Sequence, residues 1–180
     1  MILILIAKAF YFMLPAYFSN MAPVIMKNSF RRLAVPVDSG KRLAGKEIFG
    51  SHKTYRGIVF GIAFGILAAF FQYALYSIGF FKEISLVDYN HWAIIGFLLG
   101  AGAIAGDLVE SFFKRRIGIP SGKAFIPFDQ VDFVIGALVF ISFYAIVPID
   151  IAIVILAISF VLDVAVNHFS FYLGLRKEKW

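Results

Sequence analysis

Apolar residues in this chain come in long unbroken runs rather than at helical or strand spacing. Several runs approach or exceed the roughly 18–20 residues that carry an α-helix across a bilayer. With 61% hydrophobic residues and 22 phenylalanines in 180 positions, a soluble domain of this length could not hide so much apolar surface. The pattern predicts an all-α integral membrane protein, a single domain over residues 1–180. Five transmembrane helices are expected, at about 2–26, 57–80, 92–113, 132–147 and 151–170. The last two belong to one apolar stretch, Phe133 to Leu162, interrupted at Pro148-Ile149-Asp150. A tight turn is expected there, because proline cannot donate a helical hydrogen bond and aspartate resists hydrocarbon. The opening Met-Ile-Leu-Ile-Leu-Ile has neither a basic leader nor a small-residue cleavage site, and is expected to be a retained first helix.

Charge orients these helices. The connection after the first holds Lys27, Arg31, Arg32, Lys41, Arg42, Lys46, Lys53 and Arg56, whereas the next, around Phe81 to His91, holds only Lys82. The third carries Lys114, Arg115, Arg116 and Lys123, the fourth has no Lys or Arg, and the tail adds Arg176, Lys177 and Lys179. Basic and neutral connections alternate as the positive-inside rule requires. A multi-pass cell-membrane protein follows, with its amino terminus outside and its carboxyl terminus inside. Two polar cytoplasmic loops, about 27–56 and 114–131, then share one face. The net charge of +6 is explained by topology and anionic ligands, without nucleic acid. The absence of cysteine excludes disulfides and thiolate metal sites.

A charged island, Gly106 to Asp132, lies between apolar runs. Asp107, Glu110, Ser111 and Lys114 fall at i, i+3, i+4 and i+7, one face of a helix, and Asp129 and Asp132 follow a loop. Asp107 sits about a turn inside its apolar run, where an ionised carboxylate is costly unless paired or metal-bound. Hard cations such as Mg²⁺ take oxygen ligands and commonly use one or two carboxylates plus substrate phosphates. A two-ion site built from Asp107, Glu110, Asp129 and Asp132 would suit displacement at phosphorus. The competing reading pairs these acids with Lys114, Arg115 and Arg116. Lys114, Arg115 and Lys123 are candidate phosphate ligands, although Ser121-Gly122-Lys123 lacks the spacing of a P-loop.

The first polar loop supplies further candidates: Asp38, Arg42, Lys46, His52, Lys53, Thr54 and Arg56, among turn-forming glycines. So long a loop in so small a protein is more often functional than idle. Gly57, Gly61 and Gly65, like the pairs Gly96/Gly100 and Gly102/Gly106, recur every fourth residue and predict close helix packing. Asp163 and Asn167 share a face of the last helix and are expected to hydrogen-bond between helices. His91 and Trp92 are expected at the membrane interface, with Lys8 snorkelling outward.

The block Gly106-Asp107, Glu110-Ser111, Lys114-Arg115, Lys123, Pro127, Asp129 and Asp132 resembles the CTP-dependent cytidylyltransferases that make CDP-lipids. In the CDP-diacylglycerol synthases this block ends in His-Gly-Gly…Asp-Arg-x-Asp. Here Ile126-Pro127-Phe128-Asp129-Gln130-Val131-Asp132 lacks the His-Gly-Gly and has Gln130 for arginine. With Pro36…Asp38…Lys53-Thr54-x-Arg56-Gly57, the sequence is most similar to the archaeal branch, the CDP-archaeol synthases. The resemblance implies CTP and an unsaturated ether-lipid phosphate as substrates, with Mg²⁺ as cofactor. It also implies catalytic roles for Asp107, Lys114, Asp129 and Asp132. Metal contacts would come from Asp107, Glu110, Asp129 and Asp132. CTP or lipid-phosphate contacts would come from Asp38, Lys53, Thr54, Arg56, Ser111, Arg115 and Lys123. Alternatives are action on a diacyl phosphatidate and a non-enzymatic cation or lipid transporter. A CDP-alcohol phosphotransferase is excluded, because its DG-x-x-AR…G-x-x-x-D-x-x-x-D spacing does not occur.

Overall fold

The computed structural model describes residues 2–172, so Arg176, Lys177 and Lys179 lie outside the described residues. Five α-helices form the body: α1 (Ile2–Ile25), α2 (Tyr55–Ser77), α3 (Trp92–Arg116), α4 (Asp132–Ile141) and α5 (Ile149–Tyr172). Four of them, all but α4, are long and apolar enough to cross a membrane. Their outward faces carry Leu67, Phe71, Ile153 and Val161, each at least half exposed, as helices that meet lipid require. The inner faces meet in one core around Phe12, Tyr89, Leu99, Phe133, Ile141 and Ile155.

Glycine sets how closely the helices approach. A Cβ on Gly65 would stand 2.9 Å from the Gly100 Cα and from the Gly96 carbonyl oxygen, so α2 and α3 touch backbone to backbone. Gly102 and Gly106 do the same for α3 against α4. Gly102 lies on Gly136, and Gly106 lies directly on the Asp132 carbonyl. In lipid such contacts replace the hydrophobic drive with dispersion, and the predicted glycine faces are the ones used. The α3–α4 contact also sets Asp107 and Asp132 side by side at one end of the bundle.

The α4 boundary corrects the sequence reading. Helix does not run to residue 147 but stops at Ile141, and residues 142–148 are non-helical. Ten helical residues rise only about 15 Å, half the hydrocarbon thickness. Pro148 explains the geometry. It keeps Val147 out of helix, yet its own carbonyl accepts from Ala152 N at 2.9 Å, so it opens α5 rather than forming the middle of a turn. Tyr144, in the non-helical stretch, meets His91 Nδ1 through its hydroxyl at 2.7 Å. The third helix likewise runs past its expected end at 113, to Arg116. In α5, Asn167 Nδ2 donates to Asp163 Oδ2 at 2.8 Å, a bond within the helix.

Candidate functional site

The last two turns of α3 carry their polarity inwards. Glu110, Ser111, Lys114 and Arg115 are all buried, whereas Val109 and Phe113 are each 55% exposed. A helix presents charge to its own bundle when partners wait there, and both polar loops supply them. Lys53, from the first loop, donates to Asp107 Oδ1 at 2.5 Å across 54 positions of chain. Lys114 donates to Asp129 Oδ1 at 2.7 Å and lies 3.3 Å from Glu110 Oε1. That Glu110 oxygen makes no hydrogen bond among the described residues, so its link to Lys114 is charge attraction. Asp132, in the first turn of α4, lies within electrostatic range of Asp107, Glu110 and Lys53.

The first loop has its own framework. Val37 N donates to the Lys53 carbonyl at 2.8 Å and Tyr55 N to the Val35 carbonyl at 3.0 Å, which close the loop at its base. Inside it, Asp38 accepts from the N–H groups of Gly40, Phe49 and Gly50 at 3.0–3.2 Å. Burial pushes the Asp38 carboxyl up, but these N–H groups and that of Ile48 outweigh it and hold it below its ordinary value. A two-stranded hairpin, β1 (Arg42–Leu43) and β2 (Lys46–Glu47), projects from the loop. It turns at Ala44 and Gly45, both at positive φ.

Arg116 fastens that hairpin to α3. Its guanidinium donates to the carbonyls of Leu43 (2.8 Å), Lys46 (3.4 Å) and Glu47, and lies 5.1 Å from the centre of the Phe112 ring. Lys46 Nζ returns a bond to the Arg116 carbonyl at 2.8 Å. The loop after α3 completes the joint, with Ser121 against Gly50 and Gly122 against His52. Asp129 shapes this second loop by accepting from Phe125 N at 2.6 Å. Burial raises the Asp129 carboxyl, but Glu110, Lys114 and the Phe125 N–H outweigh it and hold it below its ordinary value.

The residues singled out in the sequence therefore divide. Lys53, Asp107, Glu110, Lys114, Asp129 and Asp132 gather at one end of the bundle. Asp38 is buried in its own loop, Thr54 caps α2 by accepting from Gly57 N at 3.3 Å, and Arg56 holds the Ser29 carbonyl at 2.9 Å. Ser111 lends its carbonyl to Arg115 Nε at 3.5 Å, and Lys123 lies exposed on the second loop. The expected four-acid cluster is not assembled, since among the described residues no three acid or histidine side chains converge as metal ligands. Lys114 stands against Glu110 and Asp129, while Asp132 faces Asp107 and Glu110. Sequence reasoning missed Arg116 as a fastener, and also Glu47, which shares a cleft of about 400 Å³ with Arg115 and Ser121. It missed Gln130 as well, 1% exposed with its Oε1 unpartnered among the described residues.

A family model described as "CarS-like: CDP-archaeol synthase" matches residues 1–180. The chain belongs to the CDP-archaeol synthase family. CDP-archaeol synthases of Methanocaldococcus jannaschii and Thermococcus onnurineus are each 35% identical to it. The first alignment spans 98% of both chains, the second 96% of this chain and 95% of the relative. The synthase of Methanococcus aeolicus is 31% identical over 99% of both. A solved structure described as an intramembrane enzyme for archaeal membrane lipids biosynthesis superposes with a TM-score of 0.73. It is 32% identical, with 88% of this chain and 92% of that chain covered. The protein is thus a multi-pass membrane enzyme of the cytidylyltransferase class, and the transporter alternative falls.

CDP-archaeol synthases use CTP, and the acids fit a divalent ion that arrives with a triphosphate. Asp107 and Asp132 offer two hard oxygen donors from facing helices; Lys53 faces Asp107, and the Phe133 N–H donates to Asp132. Mg²⁺ commonly binds through one or two carboxylates plus substrate phosphates, keeping several waters, rather than in an all-protein cage.

Proposed function

We propose that the protein transfers the cytidylyl group of CTP to an unsaturated archaeal ether-lipid phosphate, 2,3-bis-O-(geranylgeranyl)-sn-glycerol 1-phosphate, releasing pyrophosphate. A phosphate oxygen of the lipid attacks the α-phosphorus of CTP in line. The bond from that phosphorus to the bridging oxygen of the β-phosphate breaks, and pyrophosphate leaves with the electron pair. The reaction asks for positioning and charge neutralisation rather than covalent catalysis. The observation that carries this reading is the Lys53–Asp107 pair, which joins the first polar loop to α3 beside Asp132.

Asp107 and Asp132 would hold Mg²⁺, which when bound supplies charge neutralisation to the triphosphate. Lys53 exchanges Asp107 for phosphate oxygens as the nucleotide enters, and Lys123 and Arg56 add positive charge at the rim. Lys114, Glu110 and Asp129 fix the α3 terminus against the second loop and so hold Asp107 in place. The chain crosses the membrane five times, with residues 142–148 completing the passage that α4 begins. Both loops face the cytoplasm, where CTP is available, and the amino terminus lies outside. The whole chain acts as one domain.

The test is pyrophosphate release in detergent, with CTP and Mg²⁺ and either the ether-lipid phosphate or a diacyl phosphatidate. Release with the ether lipid at a rate at least tenfold above the diacyl lipid is the expected result. Equal rates would remove the substrate assignment, and no release with either lipid would remove the activity.

A further inference from the structure

Residues 27–35, just beyond α1, are all exposed and have no part in the chemistry above. No acidic residue precedes Asp38 in the chain. Lys46, Lys53 and Arg56 of the same loop each donate to an oxygen of the protein. Lys27, Arg31 and Arg32, in contrast, form no ion pair among the described residues. The apolar side chains between them are equally open: Phe30 is 60% exposed, and Leu33 and Val35 are exposed too. They follow directly on Val24 and Ile25, the exposed apolar end of α1. Phe30 is nevertheless fixed. Its φ of +47° is one that bulky side chains rarely adopt, and its ring centre lies 4.7 Å from that of Phe60. Arg56 holds the preceding carbonyl, that of Ser29, at 2.9 Å. The segment is thus fastened to the first turns of α2, whose entry carries Lys53.

Exposed apolar side chains alternating with unpaired bases, where a membrane helix leaves the lipid, suit the boundary between acyl chains and headgroups. There Phe30 and Leu33 sink towards the acyl chains, and the guanidinium groups stand at the level of the phosphates. Arginine meets a phosphate through two parallel N–H bonds. We propose that residues 27–33 form a collecting site for the headgroup of the lipid substrate. Arg31 and Arg32 hold its phosphate monoester at the bilayer surface before it enters the site beside Lys53. The inference deepens the proposed reaction and rests on it for the identity of the lipid. A phosphate monoester carries nearly two negative charges at neutral pH, more than the diester headgroups around it. Two unpaired arginines therefore concentrate it from a dilute membrane pool. They act on encounter, not on the reacting phosphorus, so they set the KM for the lipid and leave kcat alone.

The experiment compares full-length wild type with Arg31→Gln/Arg32→Gln in phosphatidylcholine nanodiscs. The first measurement is binding, without CTP or Mg²⁺. It reads the fraction of a spin-labelled phosphate-monoester lipid immobilised by the protein, against spin-labelled phosphatidylcholine with the same chains. Wild type is expected to favour the monoester at least threefold, and the variant to lose most of that preference. The second measurement is turnover. The KM for the lipid phosphate, as a mole fraction, should rise roughly 10- to 30-fold in the variant, the worth of two basic residues at an anionic surface. The kcat and the KM for CTP should change less than twofold. Wild type that binds both lipids alike would overturn the proposal, and that arm needs neither a variant nor turnover. So would a variant that keeps the preference or the wild-type KM for the lipid. An equal rise in the KM for CTP would place the arginines on the nucleotide and overturn it too. Absence of turnover in the wild type is a different failure: it removes the proposed reaction, and the binding measurement still decides the headgroup site.

Discussion

Two charged groups sit about one to two turns apart along α3, at the same end of the bundle, and are built on opposite plans. Lys53 and Asp107 come from segments 54 positions apart, and their side chains remain 25% and 27% exposed. Lys114, Glu110 and Asp129 come from one stretch of chain; the lysine and glutamate side chains are 9% and 7% exposed, and that of Asp129 is 25% exposed. The first is an accessible pair whose members can change partners when a charged ligand arrives. The second is desolvated at Lys114 and Glu110, where removal of one partner strands the other's charge away from water. Sequence alone made all five look alike, as acids and bases available for metal and phosphate. Burial separates the exchangeable pair from the fixed one.

The sharpest way to break this contrast is Asp107→Asn. It is expected to lower pyrophosphate release at least 1000-fold, of order 4 kcal/mol in barrier. Stability should change by about 1 kcal/mol or less, the usual worth of a partly exposed ion pair. Activity and thermal unfolding measured on one preparation decide it, and an inactive variant that is also unfolded would dissolve the distinction. Lys114→Met is expected to behave in the opposite way. It leaves the buried Glu110 carboxylate uncompensated and costs about 3–5 kcal/mol of stability, read as a large drop in Tm, whereas Lys53→Met leaves Tm nearly unchanged.

Gly106→Ala probes the contact that sets Asp107 beside Asp132. Its methyl group would meet the Asp132 carbonyl, so α3 and α4 must part at about 1–3 kcal/mol, with activity falling more than tenfold. Asp38→Asn tests the loop framework and has the smallest effect, about 1.5 kcal/mol for weakened charge-assisted bonds. The Asp38 carboxyl is held below its ordinary value of 3.8, so its contribution is present above that pH and fades as pH falls through the lower folded value. Thermal unfolding should therefore show a constant gap between wild type and variant from neutral pH to about pH 5, narrowing below about pH 4.

The long helices, the glycine faces and the island were legible because each has a period: run length in lipid, every fourth residue, and i, i+3, i+4 and i+7. What failed to show depends on contacts between distant segments or on local strain. The hairpin at Arg42–Glu47 turns through two residues at positive φ, normally announced by Asn-Gly or Asp-Gly. Here it is Ala44-Gly45, and alanine gives no such signal. Arg116 looked like one more cytoplasmic anchor because its partners are backbone carbonyls, which no side-chain pattern reveals. The end of α4 at Ile141 was hidden because Ser142–Val147 is as apolar as the helix before it. Lys53 was picked for phosphate, but its present partner, Asp107, required the folded loop.

The central claim is that Lys53 of the first loop and Asp107 of α3 form the site that transfers a cytidylyl group from CTP to an ether-lipid phosphate. It is tested most directly by following label from CTP carrying ³²P at either the α or the γ position. The purified protein, given Mg²⁺ and the geranylgeranyl ether-lipid phosphate, should move the α label into the lipid phase and leave the γ label in water as pyrophosphate, and Asp107→Asn should do neither. A γ label in the lipid, an α label that stays in water, or full transfer by Asp107→Asn would contradict it.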